Sequence, residues 1–184
     1  MHSETRPSEC FPPADSSAIK VAIIYEDFDS GARAKDFAER LAEGLECSCP
    51  LSDALWRSEL LDCQPIAEQA ARHAEDCDYL IVSLRGDRVL SFAARQWIEA
   101  QLDGAAARGM WLVALSSLAE GKPRALHANR HYFRGACAAN GVPFFSHTVT
   151  TPTQRPGWTF SDREPAVGED EVSRWPRMPL RLQA

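Results

Sequence analysis

The chain has no long hydrophobic run, no cluster of lysines and arginines, no Cys-x-x-Cys pair and none of the glycine signatures of phosphate-binding loops. Each absence removes a class of function. A membrane-spanning helix needs roughly 18 or more apolar residues in a row, and the longest apolar runs here are far shorter, so no membrane partner is expected. The N-terminus, MHSETRPSECFPPADSS, has no apolar segment of signal-peptide type, which points to the cytoplasm. Duplex nucleic acid is met by a basic face; a formal net charge of −6 with no Lys/Arg run argues against it.

The catalytic signatures are missing as well. Without GxGxxG or GxxxxGK[ST] there is no dinucleotide or P-loop cradle, and without GxSxG there is no hydrolase nucleophile elbow. His127 and His131 stand at i, i+4, a spacing zinc uses, yet the HExxH glutamate and a third ligand are absent, so they read as helix-surface histidines. The six cysteines (Cys10, Cys47, Cys49, Cys63, Cys77 and Cys137) are expected as thiols in a reducing compartment. Cys47-Ser-Cys49 reads either as a metal or redox pair or as small residues between a helix and a strand.

What is present is an ordinary globular composition in 184 residues, 45% hydrophobic and 25% charged, enough for one domain with a real core. Ile19 to Tyr25 (IKVAIIY) is a buried-strand run that ends abruptly in Glu26, Asp27 and Asp29. Gly31 to Leu45 carries Ala34, Phe37, Ala38, Leu41 and Leu45, an amphipathic helical stripe. The same alternation continues with strands at Leu51–Trp56, Tyr79–Leu84, Met110–Leu115 and Val142–Ser146, and helices from Pro65, over Ser91–Ala107 and over Arg124–Ala139. Asn140-Gly141 is a helix-terminating pair. Strand–helix units of about 30 residues imply right-handed crossovers. The fold class is therefore α/β: a three-layer α/β/α sandwich around a five-stranded parallel sheet of order 2-1-3-4-5. The expected domain spans 18–148. Residues 1–17 read as a disordered tail and 149–184 as a Pro-rich extended tail that includes Trp158, Phe160 and Trp175. Those aromatics are large apolar surfaces that dock on this domain or on a partner if they are not left in solvent.

In such a sheet ligands gather beyond the carboxyl ends of the strands. The topology sends Glu26, Asp27 and Asp29 there from the first strand, Ser83, Arg85 and Asp87 from the third, Ser116 and Ser117 from the fourth, and Ser146 and His147 from the fifth, with Arg57 and Ser58 after the second. These residues form either a ligand site or the solvated ends of loops. Glu26 and Asp27 are suited to a hard cation such as Mg²⁺. Asp29 or Ser30 reads as the N-cap of the first helix, with Asp29 favoured. Asp53, Asp76 and Asp78 fall at or before strand starts, the wrong end.

This order of elements, with an acidic pair after the first strand and Ser116 or Ser117 ending the fourth, resembles the receiver domains of two-component systems. The resemblance implies that Glu26 and Asp27 would hold Mg²⁺. It departs from the family where Ser83 replaces the phosphoacceptor aspartate and Ser146-His147 replaces the lysine, so it implies a pseudo-receiver without aspartyl-phosphate chemistry. The segment LWRSELLDCQPIAEQAARHAEDCDYLIVSL and the Trp97 helix resemble TIR and SEFIR domains. Such domains self-associate, and some cleave NAD⁺ with a glutamate four residues after that tryptophan. Position 101 is Gln101 here. Glu99, the nearest carboxylate, projects about 200° from Trp97 and lines up with Arg95 and Asp103 as a charged outer face. The YEDF segment is also similar to the opening of uncharacterised bacterial proteins, which implies no activity.

The function expected is a non-catalytic signalling or protein-interaction module, with a protein partner or self-association and no cofactor unless Mg²⁺ binds. The alternative is a TIR-like nucleotide (NAD) glycosidic-bond hydrolase acting through Glu26 or Glu99, with Arg85 on a phosphate. An FMN binder is disfavoured, because the first loop lacks a small, hydroxyl-rich phosphate loop.

Overall fold

The computed structural model describes residues 18–44, 50–118 and 123–150. Five strands, β1 (Ile19–Tyr25), β2 (Leu51–Arg57), β3 (Tyr79–Leu84), β4 (Trp111–Leu118) and β5 (Phe144–Thr150), alternate with helices α1 (Phe28–Gly44), α2 (Gln64–Ala74), α3 (Phe92–Leu102), α4 (Ala105–Arg108) and α5 (Pro123–Ala139). Every strand pair is parallel, in the order β2-β1-β3-β4-β5. The fold is thus the doubly wound, flavodoxin-like α/β sandwich that the sequence pattern implied.

β3 is central, and all six of its residues are buried; a strand covered on both faces has no need of a polar period. Its even-numbered side chains, Leu80, Val82 and Leu84, join Ala22, Ile24, Leu112 and Ala114 under α2, α3 and α5. Its odd-numbered ones, Tyr79 and Ile81, join Val21, Ile23, Val113 and Leu115 under α1. Among the described residues, three long helices pack one face of the sheet and α1 alone packs the other. Trp97 anchors the crowded face, with its indole N–H donating to the Ala67 carbonyl at 2.9 Å.

Element boundaries differ from the sequence expectation where a cap or a glycine decides them. α1 starts at Phe28 rather than Gly31, because Asp27 caps it one turn earlier. The third helix stops at Leu102, where Asp103 turns extended and Gly104 takes φ of 65°; a separate short turn, α4, follows. β5 begins after Pro143, which has no N–H to donate, and runs through Thr150, beyond the expected boundary at 148. α5 ends as expected at Asn140-Gly141: Gly141 is left-handed, and the Val142 N–H returns to the Cys137 carbonyl at 2.9 Å. The expectations for residues 1–17, for Cys10, Cys47 and Cys49, and for residues 151–184 concern positions outside the described residues.

Among the described cysteines, Cys63 is exposed while Cys77 and Cys137 are buried free thiols. Burial pushes the Cys77 thiol up to about 12 and the Cys137 thiol up to about 11, so neither is a reactive thiolate at neutral pH. No helix among the described residues is long and apolar enough to cross a membrane.

Two glycines make opposite predictions. Gly86, after β3, has φ of 77°, and a Cβ there would lie 2.6 Å from the Ser117 carbonyl oxygen of β4. Gly135, inside α5, has nothing within 4 Å of a built Cβ. Gly86→Ala should lower the unfolding free energy by more than the roughly 1–2 kcal/mol of the left-handed conformation alone. Gly135→Ala should raise it by about 0.5–1 kcal/mol through helix propensity. Urea unfolding of the two variants beside the wild type measures both.

Candidate functional site at the carboxyl edge of the sheet

β1 and β3 are neighbours in register, with Tyr25 opposite Ser83, and their chains leave to opposite faces through α1 and α3. The corner between them is the topological switch point, and the structure fills it with a clasp of charged groups. The Glu26 carboxylate accepts the Arg85 backbone N–H at 2.6 Å. The Arg33 guanidinium, from α1, donates to the Leu84 carbonyl at 2.9 Å. The last carbonyl of β3 and the first N–H beyond it are thus met by side chains of opposite sign. Each such charge-assisted bond contributes about 1.5–3 kcal/mol where it is shielded from water.

Asp27 has a different task. Its Oδ1 accepts the Ser30 N–H at 2.9 Å, and the Ser30 hydroxyl accepts the Asp27 N–H at 2.8 Å and the Glu26 N–H at 3.1 Å. This is a reciprocal capping box with serine in the third helical position. Asp27 is therefore the N-cap, not Asp29 or Ser30; Asp29 is exposed in the first turn, and Ser30 is buried as the reciprocal partner. The Arg85 side chain lies 3.5 Å from Asp27 and 3.4 Å from Asp87. It is half exposed, so these pairs contribute little beyond orientation. Asp87 is mostly buried, and its Oδ1 has no hydrogen-bond partner.

The surroundings shift the acids in opposite directions. Burial raises the Glu26 carboxyl above its usual range, helped by Asp87 and Asp27 and opposed by the Arg85 N–H and side chain. Burial pushes Asp27 upward too, but its bonds to Ser30 and the charges of Arg85 and Arg33 outweigh that and leave it below the usual range. Burial likewise lowers Arg33, against the pull of Asp27, Asp29 and Glu26.

The edge thus brings together Glu26, Asp27, Asp29, Arg85 and Asp87. It does not join Ser83 or Ser116 to them. Ser83 follows Ile81 on the α1 face, where its hydroxyl is buried without a partner. Ser116 is in register with Leu84 and takes the opposite face. Ser117 donates its hydroxyl to the Arg85 carbonyl at 3.2 Å. Ser146 and His147 were expected at the end of the fifth strand but lie within β5, opposite Ala114 and Leu115, because the strand starts two residues late and runs on to Thr150. Arg57 ends β2 in a surface pair with Glu59 at 2.9 Å, and Ser58 is buried beside it. Asp53 sits inside β2 opposite Val21 rather than at its start. Asp78 accepts the Lys20 N–H at 2.9 Å at the far edge.

Glu99 lies about two turns down α3 from the edge. It is exposed, and it faces the Tyr132 hydroxyl of α5, whose proton is held more tightly because of burial and that carboxylate. Arg95 stacks over the same ring at 5.0 Å. Glu99 therefore belongs to the α3–α5 surface, away from the clasp.

Sequence reasoning missed Arg33, Asn129 and two phenylalanines. The Asp29–Arg33 spacing of i, i+4 was the available signal for the first. Asn129, a lone polar residue in the apolar stripe of α5, is buried; its amide donates to the Arg88 carbonyl at 2.8 Å, and its oxygen accepts the Leu90 N–H at 3.2 Å. It fixes the loop between β3 and α3. Phe28 and Phe92, the first residues of α1 and α3, are 84% and 75% exposed, and Val89 in the intervening loop is 48% exposed. Apolar side chains thus project from the same edge as the carboxylates.

The corner already holds acidic groups where a phosphate would sit. An anion at a helix N-terminus needs free N–H groups; those of Glu26, Asp27 and Ser30 are taken by Ser30 and Asp27, and the Asp27 carboxylate already stands at that position. The described residues contain no group of three His, Cys, Asp or Glu side chains placed to hold a metal ion; His127 and His131 are both exposed on α5.

No family model matches the chain, and none of the curated proteins does. Among solved structures it is similar to a flavodoxin from Streptococcus pneumonia TIGR4, with 11% identity and a TM-score of 0.46 over 84% of this chain and 90% of that one. It is also similar to the Trp repressor binding protein from Bacillus subtilis, with 16% identity and a TM-score of 0.41 over 75% and 86%. A third is TesA, with 16% identity and a TM-score of 0.39 over 67% and 76%. Similarity at this level assigns no activity.

The two acids predict a split pH dependence. A carboxyl held low stabilises the fold above the ordinary aspartate value, and that stability is lost as pH falls through the lowered value. A carboxyl held high stabilises it below the ordinary glutamate value, and that stability is lost as pH rises through the raised value. Glu26→Gln keeps an acceptor for the Arg85 N–H and should flatten only the upper window. Asp27→Ala should flatten the lower window and cost about 1 kcal/mol at neutral pH through the lost cap. Urea unfolding across a pH series reads both.

Proposed function

We propose that this chain is a non-catalytic signalling or protein-interaction module whose partner seats on the carboxyl edge of the sheet. The observation that carries this reading is the exposure of Phe28 and Phe92 at the first residues of α1 and α3 while Arg85 is bound to Glu26 and Asp27. Catalysis needs groups left free for substrate; association needs apolar side chains left free for a partner, and aromatic residues dominate the energy of such contacts. Burying one phenylalanine is worth roughly 1.5–3 kcal/mol, so two at one edge supply a central part of what association needs, with further contacts offsetting the lost freedom. The charged groups around them act as a rim that sets orientation and association rate.

A second reading rests on the raised carboxyl of half-buried Glu26 beside Arg85. A nucleotide glycosidic-bond hydrolase would use such a carboxylate to stabilise developing positive charge, with Arg85 on a phosphate. Arg85 would first have to leave Asp27 and Asp87.

Two measurements separate the readings. A photo-crosslinking phenylalanine analogue is placed at position 28, 92 or, on the outer side of α2, 72, in the full chain expressed in its source cells. Protein adducts are expected from positions 28 and 92 and not from 72; equal yields at all three, or none, overturn the interaction reading. Incubation with NAD⁺ is expected to release no nicotinamide, and sustained release that Glu26→Gln abolishes would establish the hydrolase instead.

A further inference from the structure

We infer that the first occupant of this edge is the chain's own C-terminal segment, Thr151 to Ala184, which seats Trp158 and Phe160 against Phe28 and Phe92 and has to leave before another protein binds there. This rests on the edge being an interaction surface, and it adds the identity of the resident ligand and a mode of regulation.

Three observations support it. First, β5 runs parallel to its neighbours and ends at Thr150, so the segment departs from the same edge that carries the exposed phenylalanines. Second, the distances suit it. β5 is three strand spacings from β1 in the order β2-β1-β3-β4-β5, about 14 Å at ~4.8 Å per strand. The eight residues from Thr150 to Trp158 reach up to roughly 26–29 Å when extended. Trp158 therefore spans the strand ends of β4 and β3 with length to spare, and Pro152 and Pro156 reduce the conformational freedom lost on seating.

Third, the chemistry is complementary. The segment holds Trp158, Phe160 and Trp175, which are costly to leave in water. The edge offers Phe28, Val89 and Phe92 as exposed apolar surface. The segment's arginines (Arg155, Arg163, Arg174, Arg177 and Arg181) are balanced by Asp162, Glu164, Glu169, Asp170 and Glu171, so the match with the edge is apolar. Tethering raises the local concentration to the order of millimolar, so a contact too weak to survive between separate molecules still closes within one chain.

The test uses purified full-length chain with the photo-crosslinking phenylalanine analogue at position 28, in equal parts unlabelled and ¹⁵N-labelled. Crosslinks of one isotope, joining position 28 to peptides from within 151–184, are expected. Trp158→Ser/Phe160→Ser should reduce them at least five-fold, and the analogue at position 72 should give none. Mixed-isotope pairs would make a second copy the occupant and overturn the inference; so would crosslinks that avoid the segment, or a yield that the double substitution leaves unchanged. If the segment fails this test while adducts at 28 and 92 persist in cells, the regulation is wrong and the interaction surface stands. If those adducts fail as well, both fall.

Discussion

The hydrogen bond from the Arg85 backbone N–H to the Glu26 carboxylate is the contact on which the candidate site depends. It ties the exit of β1 toward one face to the exit of β3 toward the other. A neutral acceptor would satisfy the N–H. An ionised carboxylate does more, because it also draws the neighbouring cations inward, and Arg33 and Arg85 both lie within its field. Placing that charge out of water is unfavourable, as the upward shift of Glu26 records. The cost is tolerated because the same carboxylate terminates a buried strand.

With the acids committed in this way, the corner differs from a ligand site of the usual kind. The N-terminus of α1 would ordinarily attract an anion. Here Asp27 supplies that anion from within the chain, and Ser30 completes the exchange. The polar groups organise the backbone, and what they leave for outside molecules is the apolar fringe of Phe28, Val89 and Phe92. The interaction module proposed above takes its support from that division of labour.

The sheet was legible because hydrophobic runs at Ile19, Tyr79 and Met110 carry their own periodicity, and because a parallel sheet buries its strands on both sides. The edge residues were legible only as a group. Topology placed Glu26, Asp27, Arg85 and Asp87 together, but which acid caps α1 depended on backbone angles over three residues, and Asp27 and Asp29 look alike at that level. Ser83 and Ser116 part for a geometric reason: successive residues of a strand alternate faces, so these two, one register step apart, lie on opposite sides of the sheet. Ser146 and His147 lie within β5 because the strand runs on to Thr150. Arg33 escaped notice because its role is to meet a backbone carbonyl, whereas the Asp29–Arg33 spacing reads on its own as an ordinary helix-surface pair.

The approach of Gly86 to β4 gives the fold a mechanical property. Its α-carbon rests where no larger residue fits against the Ser117 carbonyl, the Ser117 hydroxyl grips the Arg85 carbonyl, and Asn129 holds the same loop to α5. Main chain bears on main chain here, so little slack remains for side chains to absorb. A push on the 85–91 loop is passed to the end of β4 and to α5 as displacement, and the corner works as a short lever rather than a cushion.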